Sequence, residues 1–494
     1  MSVALFCDLP IKPQEPPLNL RAIADRFMKY VMEPEHQVMF KNARSHIHFK
    51  AFLEGEGSEL ITIGAILVGK ILRNEDVADL LPSLEDYYNK PVGLFMNRPD
   101  DNRGEYWYLM YVNALAAAVI KTRLVNDVDT LEQFRSSLNK LREIAEQINY
   151  DFNDQGYDFD RNVPYTLNDA YRQPDSIGGY AYLMALGYEI FHDPEYLREC
   201  ETGLRNYRDF SENPWYEIPN GAMACLAAAY LSRTQHKDLD IHKMMNFVLD
   251  SNDGSLHVGK WGDAEINGLM YGWRGYSRKE AAETAYSLES MIPISYLLPV
   301  LRYYPKFARE VGLYALNVAS NLRWFFPEFL RPDAQTRPDL PTEIPYEALH
   351  REREGHSPYA AGDFHGQRSI YGGALVTWLG EVIRATEDPY ILRLDLARTD
   401  FINDKSCPTY LYYNPWDSVR EVTMNLRTHT ALYDLTRHRF LTHDTKGTFV
   451  LMIPPREATI VVHVSSTATI HGENGTLYAD DTPIDYEMEL VQKE

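Results

Sequence analysis

A recurring joint between two kinds of helix is the sequence feature that most restricts how this chain can fold. At Pro194, Pro305 and Pro389 a long apolar helical pattern gives way to a new one, in the stretches HDPEYL, YYPKFA and EDPYIL. Proline disfavours helix in the residue before it and suits the first turn of the next helix. Each joint therefore predicts a pair of helices folded back on each other.

The two helices of a pair differ in composition. The first, such as SIGGYAYLMALGYEIF and NGAMACLAAAYL, are rich in Gly and Ala and apolar nearly all round, which is typical of helices buried on every side. The second, such as YLRECETGLRNYRDF, have one apolar stripe and a polar face. We interpret them as an inner and an outer layer of helices.

The periodicity is helical from residue 18 to about residue 400 and predicts about a dozen helices, including one at 77–87 and one at 389–398. After residue 400 it switches to the alternation of short strands, as in TYLYYNP, REVTMNL and TALYDLT. Six hairpins predict an (α/α)6 toroid over residues 1–403, followed by a small antiparallel β-sandwich over 404–494. An open helical solenoid is the alternative, but it requires a fixed repeat length, and the joints are irregularly spaced.

Composition narrows the classes of partner. The chain has 49 Lys and Arg against 71 Asp and Glu, a formal net charge of −22. Nucleic acid and anionic membranes are therefore not expected as partners. With 34 tyrosines and 7 tryptophans in 494 residues, neutral ligands with flat faces such as sugars fit better. Assembly into homo-oligomers is left open.

The start of the chain, MSVALFCDLPIKPQEPP, lacks the charged and apolar regions of a signal peptide. The four cysteines have no CxxC spacing, so neither a disulfide framework nor a zinc site is indicated. We expect a cytoplasmic protein that needs no cofactor and no metal.

Two stretches carry a resemblance to known enzymes. The C-terminal YLYYNPWDSVREVTM, YDLTRHRF and GTFVLMIPPREATIVVHV resemble the terminal β-domain of many glycosidases. Together with the helical ring, the plan resembles that of (α/α)6 glycoside hydrolases and polysaccharide lyases. The resemblance implies an oligosaccharide substrate.

The second stretch, NPWYEIPNGAMACL followed by NDGSLHVGKWGD and YGWRGYS, is similar to the order of motifs in hyaluronate- and xanthan-type lyases. That similarity implies that Asn220 neutralises a substrate carboxylate. It further implies that His257 or Tyr276 acts as base or acid, and that Arg274 holds the uronate.

Residues just before the inner helices are the candidates for chemistry, because the N-termini of those helices point into one funnel in such a ring. Glycoside hydrolysis needs two carboxyl groups, one kept protonated by apolar surroundings and one that activates water or attacks carbon. The predicted catalytic residues are Asp263, Glu217, Asp175, His257 and Asn220. Residues predicted to bind substrate are Trp107, Trp215, Trp261, Trp273, Arg274, Tyr276, Asp363, His365 and Arg368.

Several of these residues also have ordinary structural interpretations. Asp175 stands where a helix N-cap is expected, Glu217 could form a structural salt bridge, and Asp263 could lie in a solvated turn. The leading hypothesis is a glycoside hydrolase with Asp263 and Glu217 as its acid/base pair and Asp175 next in line. A uronate lyase is the alternative, followed by a sugar epimerase or phosphorylase and by a non-catalytic glycan-binding protein.

Overall fold

The computed structural model describes residues 7–250, 256–261, 264–270, 283–284, 287–335, 337–347, 349–350, 359–360 and 368–487. No helix in this part of the chain is long and apolar enough to cross a membrane.

Eleven α-helices form within the described residues. They are α1 (Leu20–Met32), α2 (Leu60–Leu72), α3 (Tyr106–Arg123), α4 (Val128–Gln147), α5 (Ser176–Phe191), α6 (Pro194–Asp209), α7 (Pro219–Thr234), α8 (Ile241–Leu249), α9 (Ser287–Tyr303), α10 (Ala308–Asn321) and α11 (Ile370–Val382).

Six of these helices form a closed inner ring. Helix α2 packs on α3, α3 on α5, α5 on α7, α7 on α9, α9 on α11, and α11 returns to α2. These are the helices that are apolar on all sides: 12 of the 13 residues of α2 and every residue of α11 are buried. Burial on every side explains why their sequences lack a polar face.

The amphipathic helices form the outer layer. Helix α4 packs against α3 and α5, α6 against α5 and α7, α8 against α7, α10 against α9, and α1 against α11. Pro194 occupies the first turn of α6, and the preceding Asp193 accepts a hydrogen bond from the backbone N–H of Glu195. The interpretation of the HDPEYL joint as a helix start is confirmed.

Two predicted helices are wrong. Residues Leu81–Tyr87 form a 3₁₀ segment packed on α2, because Pro82 removes a backbone donor from the predicted helix 77–87. The predicted helix 389–398 is a strand at Leu392–Asp395, paired with Thr409–Tyr413. Its alternating burial shows that the sequence LRLD has a strand period, which the preceding proline had obscured.

Short hairpins and small sheets connect the helices. Their strands are β1 (Met39–Lys41), β2 (Ile47–Phe49), β3 (Tyr88–Asn89), β4 (Leu94–Phe95), β5 (Arg103–Glu105), β6 (Gly156–Asp158), β7 (Val163–Tyr165), β8 (Lys260–Trp261), β9 (Ala264–Glu265), β10 (Glu283–Thr284), β11 (Leu349–His350) and β12 (Tyr359–Ala360). The strands of β5–β6–β7 are antiparallel, and β5 leads directly into α3.

The C-terminal region contains two antiparallel sheets. Their strands are β13 (Ile383–Ala385), β14 (Leu392–Asp395), β15 (Thr409–Tyr413), β16 (Arg420–Asp434), β17 (Arg439–Ile453), β18 (Ala458–Ser465), β19 (Ile470–Glu473), β20 (Thr476–Ala479) and β21 (Thr482–Asp485). The larger sheet has the order β13-β14-β15-β18-β16-β17, and the smaller is β19-β20-β21. A mainly helical chain with a small antiparallel region is therefore confirmed.

One face of the larger sheet packs on α10, through residues such as Leu411 and Ile460. On the other face, Tyr412 and Val461 lie in a second apolar cluster with Val422 and Met424. Register shifts between Leu426 and Tyr433 interrupt the β16–β17 ladder. The first half of β16 pairs with β17 alone and the second half also pairs with β18.

Candidate active site

The N-terminal ends of neighbouring inner helices are held together by hydrogen bonds. The backbone N–H of Leu60 in α2 donates to Asn97 O (2.9 Å), and that of Trp107 in α3 donates to Gln173 Oε1 (2.7 Å). Gln173 precedes α5, and its Nε2 donates to Glu105 Oε2 (3.2 Å). The starts of α3 and α5 therefore lie at the same end of the ring, and the start of α2 lies across a cleft from that of α3, with Glu59 and Glu105 both lining it.

Four of the outer helices begin differently from three of the inner ones. Outer helices α1, α4, α6 and α8 have an Asn or Asp side chain that accepts a hydrogen bond from the first turn. Inner helices α2, α3 and α5 begin after Glu59, Glu105 and Asp175, and none of these three carboxylates makes such a bond. Three acidic side chains at the positive ends of helices are thus available for other contacts.

Asp175 is the most unusual of the three. It is 1% exposed, and its expected role as an N-cap is not seen in the structure. Burial raises the pKa of its carboxyl group to about 7, against the opposing effects of the Tyr216 and Glu217 backbone N–H groups and the Asn220 amide. An aspartic acid that changes protonation state near neutral pH is suited to general acid or base catalysis.

Two glycines bring the start of α7 onto the start of α5. A Cβ on Gly178 would lie 2.6 Å from the backbone oxygen of Asn220. A Cβ on Gly179 would lie 2.4 Å from Asn220 Oδ1 and 2.7 Å from Met110 Cβ in α3. The Gly-Gly pair in SIGGYA therefore lets three inner helices meet beside Asp175.

Three of the five predicted catalytic residues come together at this junction. Glu217 (4% exposed) lies just before α7 and Asn220 (1% exposed) in its first turn. Asn220 Nδ2 lies 3.4 Å from Ser176 Oγ, next to Asp175 in the chain. Trp215, also predicted, is buried two residues before Glu217. We define this group, Asp175, Glu217 and Asn220, as the carboxyl junction.

Trp107, which is predicted to bind substrate, lies in the first turn of α3. It is 3% exposed, and within the described residues its indole Nε1 has no hydrogen-bond partner. Its ring contacts those of Tyr108 and Tyr111, both at 5.1 Å between centroids. An indole N–H held in an aromatic group suits contact with a sugar hydroxyl.

Arg368 is not part of the carboxyl junction. Its side chain is fully buried, lies over the ring of Tyr346, and donates to the backbone oxygens of Ile344 (2.9 Å) and Arg337 (2.8 Å). Burial lowers the pKa of its guanidinium group. These contacts give Arg368 a role in holding residues 337–346 against α11.

The structure describes only some of the remaining predicted site residues. His257 and Leu269 are joined by a backbone hydrogen bond of 2.8 Å, and Trp261 lies in β8 with its side chain outside the described set. Asp263, Trp273, Arg274, Tyr276, Asp363 and His365 lie outside the described residues. Their roles stay predictions.

A cleft of about 300 Å³ between the starts of α2 and α3 adds residues that the sequence prediction missed. Glu59 lines it and accepts hydrogen bonds from Asn97 and Arg98. Tyr108 and Tyr165 contribute aromatic rings. Glu59 could have been suspected, because it directly precedes the fully apolar LITIGAILVG.

No cluster of three or more His, Cys, Asp or Glu side chains that could hold a metal ion occurs within the part of the chain that the structure describes.

The fold is similar to that of a solved sugar epimerase. The chain matches a sugar epimerase from a ruminal bacterium at 9% identity, over 74% of this chain and 98% of that one, with a TM-score of 0.50. It also matches cellobiose 2-epimerase from Bacillus thermoamylovorans (6% identity, 73% and 98% coverage, TM-score 0.49). A family 76 glycoside hydrolase from a bovine Bacteroides thetaiotaomicron strain matches at 12% identity, 74% and 78% coverage, and a TM-score of 0.43. At these identities the similarity concerns the fold alone.

No protein-family model matches the sequence, and no curated protein sequence matches it significantly.

Proposed function

We propose that this protein is a carbohydrate-active enzyme that hydrolyses oligosaccharides at the carboxyl junction. The observation that carries the proposal is Asp175, a buried carboxyl group with a pKa of about 7 at the meeting point of two inner helices. The closed ring of inner helices supports the assignment of an (α/α)6 toroid. The sugar epimerase with this fold supports a sugar as the substrate class.

In the proposed reaction Asp175 is the general acid. Its proton passes to the glycosidic oxygen as the bond from that oxygen to the anomeric carbon breaks. Glu217 accepts a proton from the water that attacks the anomeric carbon, so that one carboxyl group gives a proton and the other takes one. Asn220 positions Asp175, and Trp107 and Trp215 form the aromatic surface against which the sugar packs.

The acid in this proposal differs from the one that the sequence favours. Asp263 was expected to act with Glu217, but Asp263 lies outside the described residues. Asp175 takes the acid role because its burial gives it the protonation behaviour that an acid needs near pH 7.

Epimerisation of a sugar is the second candidate. The similarity to a sugar epimerase favours it, and a carboxyl group with a pKa of about 7 can also take up and return a proton at carbon. This reaction would leave the number of reducing ends unchanged, which distinguishes it from hydrolysis.

The test is a panel of neutral and uronate-containing oligosaccharides, assayed for new reducing ends, for ultraviolet absorbance and for epimers by chromatography. We expect new reducing ends without absorbance, lost in Asp175→Asn and Glu217→Gln. Asp395→Asn, which removes a partly buried carboxyl group of raised pKa in the C-terminal sheet, is the control and should keep its activity.

Each of the following three outcomes would contradict the proposed hydrolase activity. Absorbance that rises with cleavage and disappears in Asn220→Ala would assign a lyase. Epimers without new reducing ends would assign the second candidate. Binding of a sugar with no product would assign a glycan-binding protein. A cytoplasmic location stays a prediction.

A further inference from the structure

The cleft of about 300 Å³ between the starts of α2 and α3 is joined to the carboxyl junction by one glutamine. Glu105 lines the cleft and accepts a hydrogen bond from Gln173 Nε2 (3.2 Å). Gln173 precedes Asp175 by two residues, and its backbone oxygen accepts a hydrogen bond from the N–H of Ser176 (3.1 Å). The cleft and the junction are therefore neighbouring parts of the same end of the ring.

The two guanidinium groups that line the cleft already have carboxylate partners. Arg98 Nε donates to Glu59 Oε1 at 3.0 Å, and Arg103 Nε donates to Asp158 Oδ2 at 2.8 Å. Each of these ion pairs neutralises its cation. The cleft therefore has no uncompensated positive charge with which to hold an anionic ligand.

Two other carboxylates line the cleft without a cation. Within the described residues, no lysine or arginine lies within ion-pair distance of Asp101 or Glu105. Glu105 instead accepts one amide N–H on each oxygen, from Gln155 Nε2 (3.0 Å) and Gln173 Nε2 (3.2 Å). A carboxylate has about four acceptor positions, so each oxygen keeps a position for a hydroxyl group. The excess negative charge disfavours a uronate or a phosphorylated sugar and favours a neutral one.

The backbone of a neighbouring strand fixes the position of Glu105. Glu105 is directly opposite Gly156 in the β5–β6 ladder. A Cβ on Gly156 would lie 2.7 Å from Glu105 Cα, so only glycine lets β6 approach β5 this closely. The carboxylate is thus held by the backbone and by two amide groups, and it presents its oxygens in a defined arrangement before a ligand binds.

Two tyrosine rings form another part of the cleft wall. Tyr108 in the first turn of α3 and Tyr165 in β7 are both partly exposed. The Tyr108 ring lies 5.1 Å from that of Trp107, and the Arg103 guanidinium lies 5.4 Å from the centre of the Tyr165 ring. Accessible aromatic rings beside a fixed carboxylate suit a pyranose, whose C–H face packs on a ring while its hydroxyl groups donate to the carboxylate.

We propose that this cleft is a subsite for a neutral sugar unit of the oligosaccharide and that Glu105 is its specificity-determining residue. The oxygens of Glu105 accept hydrogen bonds from hydroxyl groups of that unit, and its ring packs against Tyr108 and Tyr165. The inference rests on the proposed function, since the oligosaccharide bound at the carboxyl junction extends into the cleft. It adds that the unit held there carries no carboxylate or phosphate.

The test is isothermal titration calorimetry of the full chain carrying Asp175→Asn, a background chosen to keep the ligand intact. The probes are cellotetraose, β-1,4-mannotetraose and maltotetraose, each beside the tetrauronate of the same backbone. We expect at least one neutral tetraose to bind at least tenfold more tightly than its tetrauronate. Adding Glu105→Gln should weaken that tetraose at least fivefold and reduce its preference over the tetrauronate, because a charged acceptor and a like charge are both removed. Glu421→Gln, which makes the same charge change at an exposed position of β16, should alter neither affinity.

A second variant tests the aromatic wall. Tyr108→Ala should weaken binding of the same tetraose at least fivefold, and if it does not fold, as judged by circular dichroism, Tyr165→Ala takes its place. Tyr478→Ala, which removes a partly exposed tyrosine of β20, is the control and should leave the affinity unchanged.

Hydrolysis is measured separately with the wild type, so that the two proposals can fail independently. Binding of a neutral tetraose that depends on Glu105, without any hydrolysis, would contradict the proposed reaction and support the subsite. Binding of no neutral tetraose, equal or tighter binding of the tetrauronate, or undiminished binding by the folded Glu105→Gln variant would overturn the subsite.

Discussion

The backbone N–H of Glu217 lowers the pKa of the buried Asp175 carboxyl group, so the segment that begins α7 helps to set the acidity of a residue that begins α5. Burial has the larger effect and raises the pKa of Asp175 to about 7, while the N–H groups oppose it. Residues at the starts of two inner helices therefore determine the pKa of this one carboxyl group. The first two predictions follow from its pKa.

The first prediction concerns the pH dependence of stability. The pKa of Asp175 is 3.8 before folding and about 7 afterwards, so the folded state holds the proton more tightly and loses stability as pH rises between these values. Asp175→Asn should remove this loss. Relative to wild type, its free energy of unfolding should improve by up to about 4 kcal/mol between pH 4 and pH 8.5.

Urea unfolding at the two pH values measures this difference. Asp127→Asn is the control with the opposite sign: the Thr130 backbone N–H lowers the pKa of Asp127, so that variant should lose more stability at pH 8.5 than at pH 4. An Asp175→Asn variant whose stability runs parallel to wild type would contradict the raised pKa.

The second prediction concerns activity. If protonated Asp175 is the acid, kcat should fall as pH rises through about 7, because the fraction of protonated enzyme decreases. Asp175→Asn should lower kcat by about 10²- to 10⁴-fold and abolish this decline. A variant that keeps the wild-type pH profile would exclude Asp175 as the titrating group.

The third prediction tests the close packing at the junction. Gly179→Ala would place a Cβ 2.4 Å from Asn220 Oδ1, so Asn220 or Met110 must move. We expect a loss of about 1–3 kcal/mol in stability and at least a tenfold loss in kcat/KM. Gly57→Ala is the matched control, since a Cβ there meets nothing within 4 Å. Equal activity in the two variants would show that the position of Asn220 is unimportant.

Most of the helices could be predicted because fully buried helices are apolar all round, whereas partly buried ones have a single apolar stripe. Helix α8 spans 241–249 as expected, since its apolar residues repeat at helical spacing. The strand Leu392–Asp395 was missed because a proline that begins a helix and one that precedes a strand look alike locally. The stretches REVTMNL and TALYDLT were predicted as two strands and form one, β16, because irregular pairing lets a strand continue through a polar stretch.

The site was predictable as a set of residues but not as an arrangement. Glu217, Asn220 and Asp175 each precede or begin a Gly/Ala-rich helix, which the sequence shows. That α5 and α7 are neighbours depends on ring closure, and the pKa of Asp175 depends on the burial that this contact produces. Neither the contact between α5 and α7 nor the pKa of Asp175 can be predicted from the residues around QPDSIGG alone.

The fourth prediction concerns the link between the ring and the residues that follow it. Arg302 in α9 forms a buried ion pair with Asp400, and Tyr303 Oη donates to the same carboxylate at 3.0 Å. Arg302→Met leaves Asp400 buried without its cation and should cost about 3–5 kcal/mol in urea unfolding. Arg456→Met, which breaks the exposed pair with Asp417, should cost less than about 1 kcal/mol.

The double variant Arg302→Met, Asp400→Leu should recover much of the loss, because it removes both buried charges. A double variant as unstable as the sum of the single ones would show that the two residues act independently.

The last prediction concerns the contact of β21 with the larger sheet. Asp485 accepts hydrogen bonds from Tyr433 Oη (2.6 Å) and His438 Nδ1 (2.7 Å). The Asp485 carboxylate raises the pKa of His438 above its usual 6.5. The folded state therefore holds this proton more tightly, so the stabilisation is complete below pH 6.5 and is lost as pH rises through the folded-state pKa.

His438→Gln should lower Tm by about 1–3 °C more at pH 5.5 than at pH 9. His429→Gln breaks a pair with Asp444 in which both side chains are exposed, and its Tm change should be smaller at both pH values. A pH-independent effect of His438→Gln would assign His438 a packing role, with no contribution from its charge.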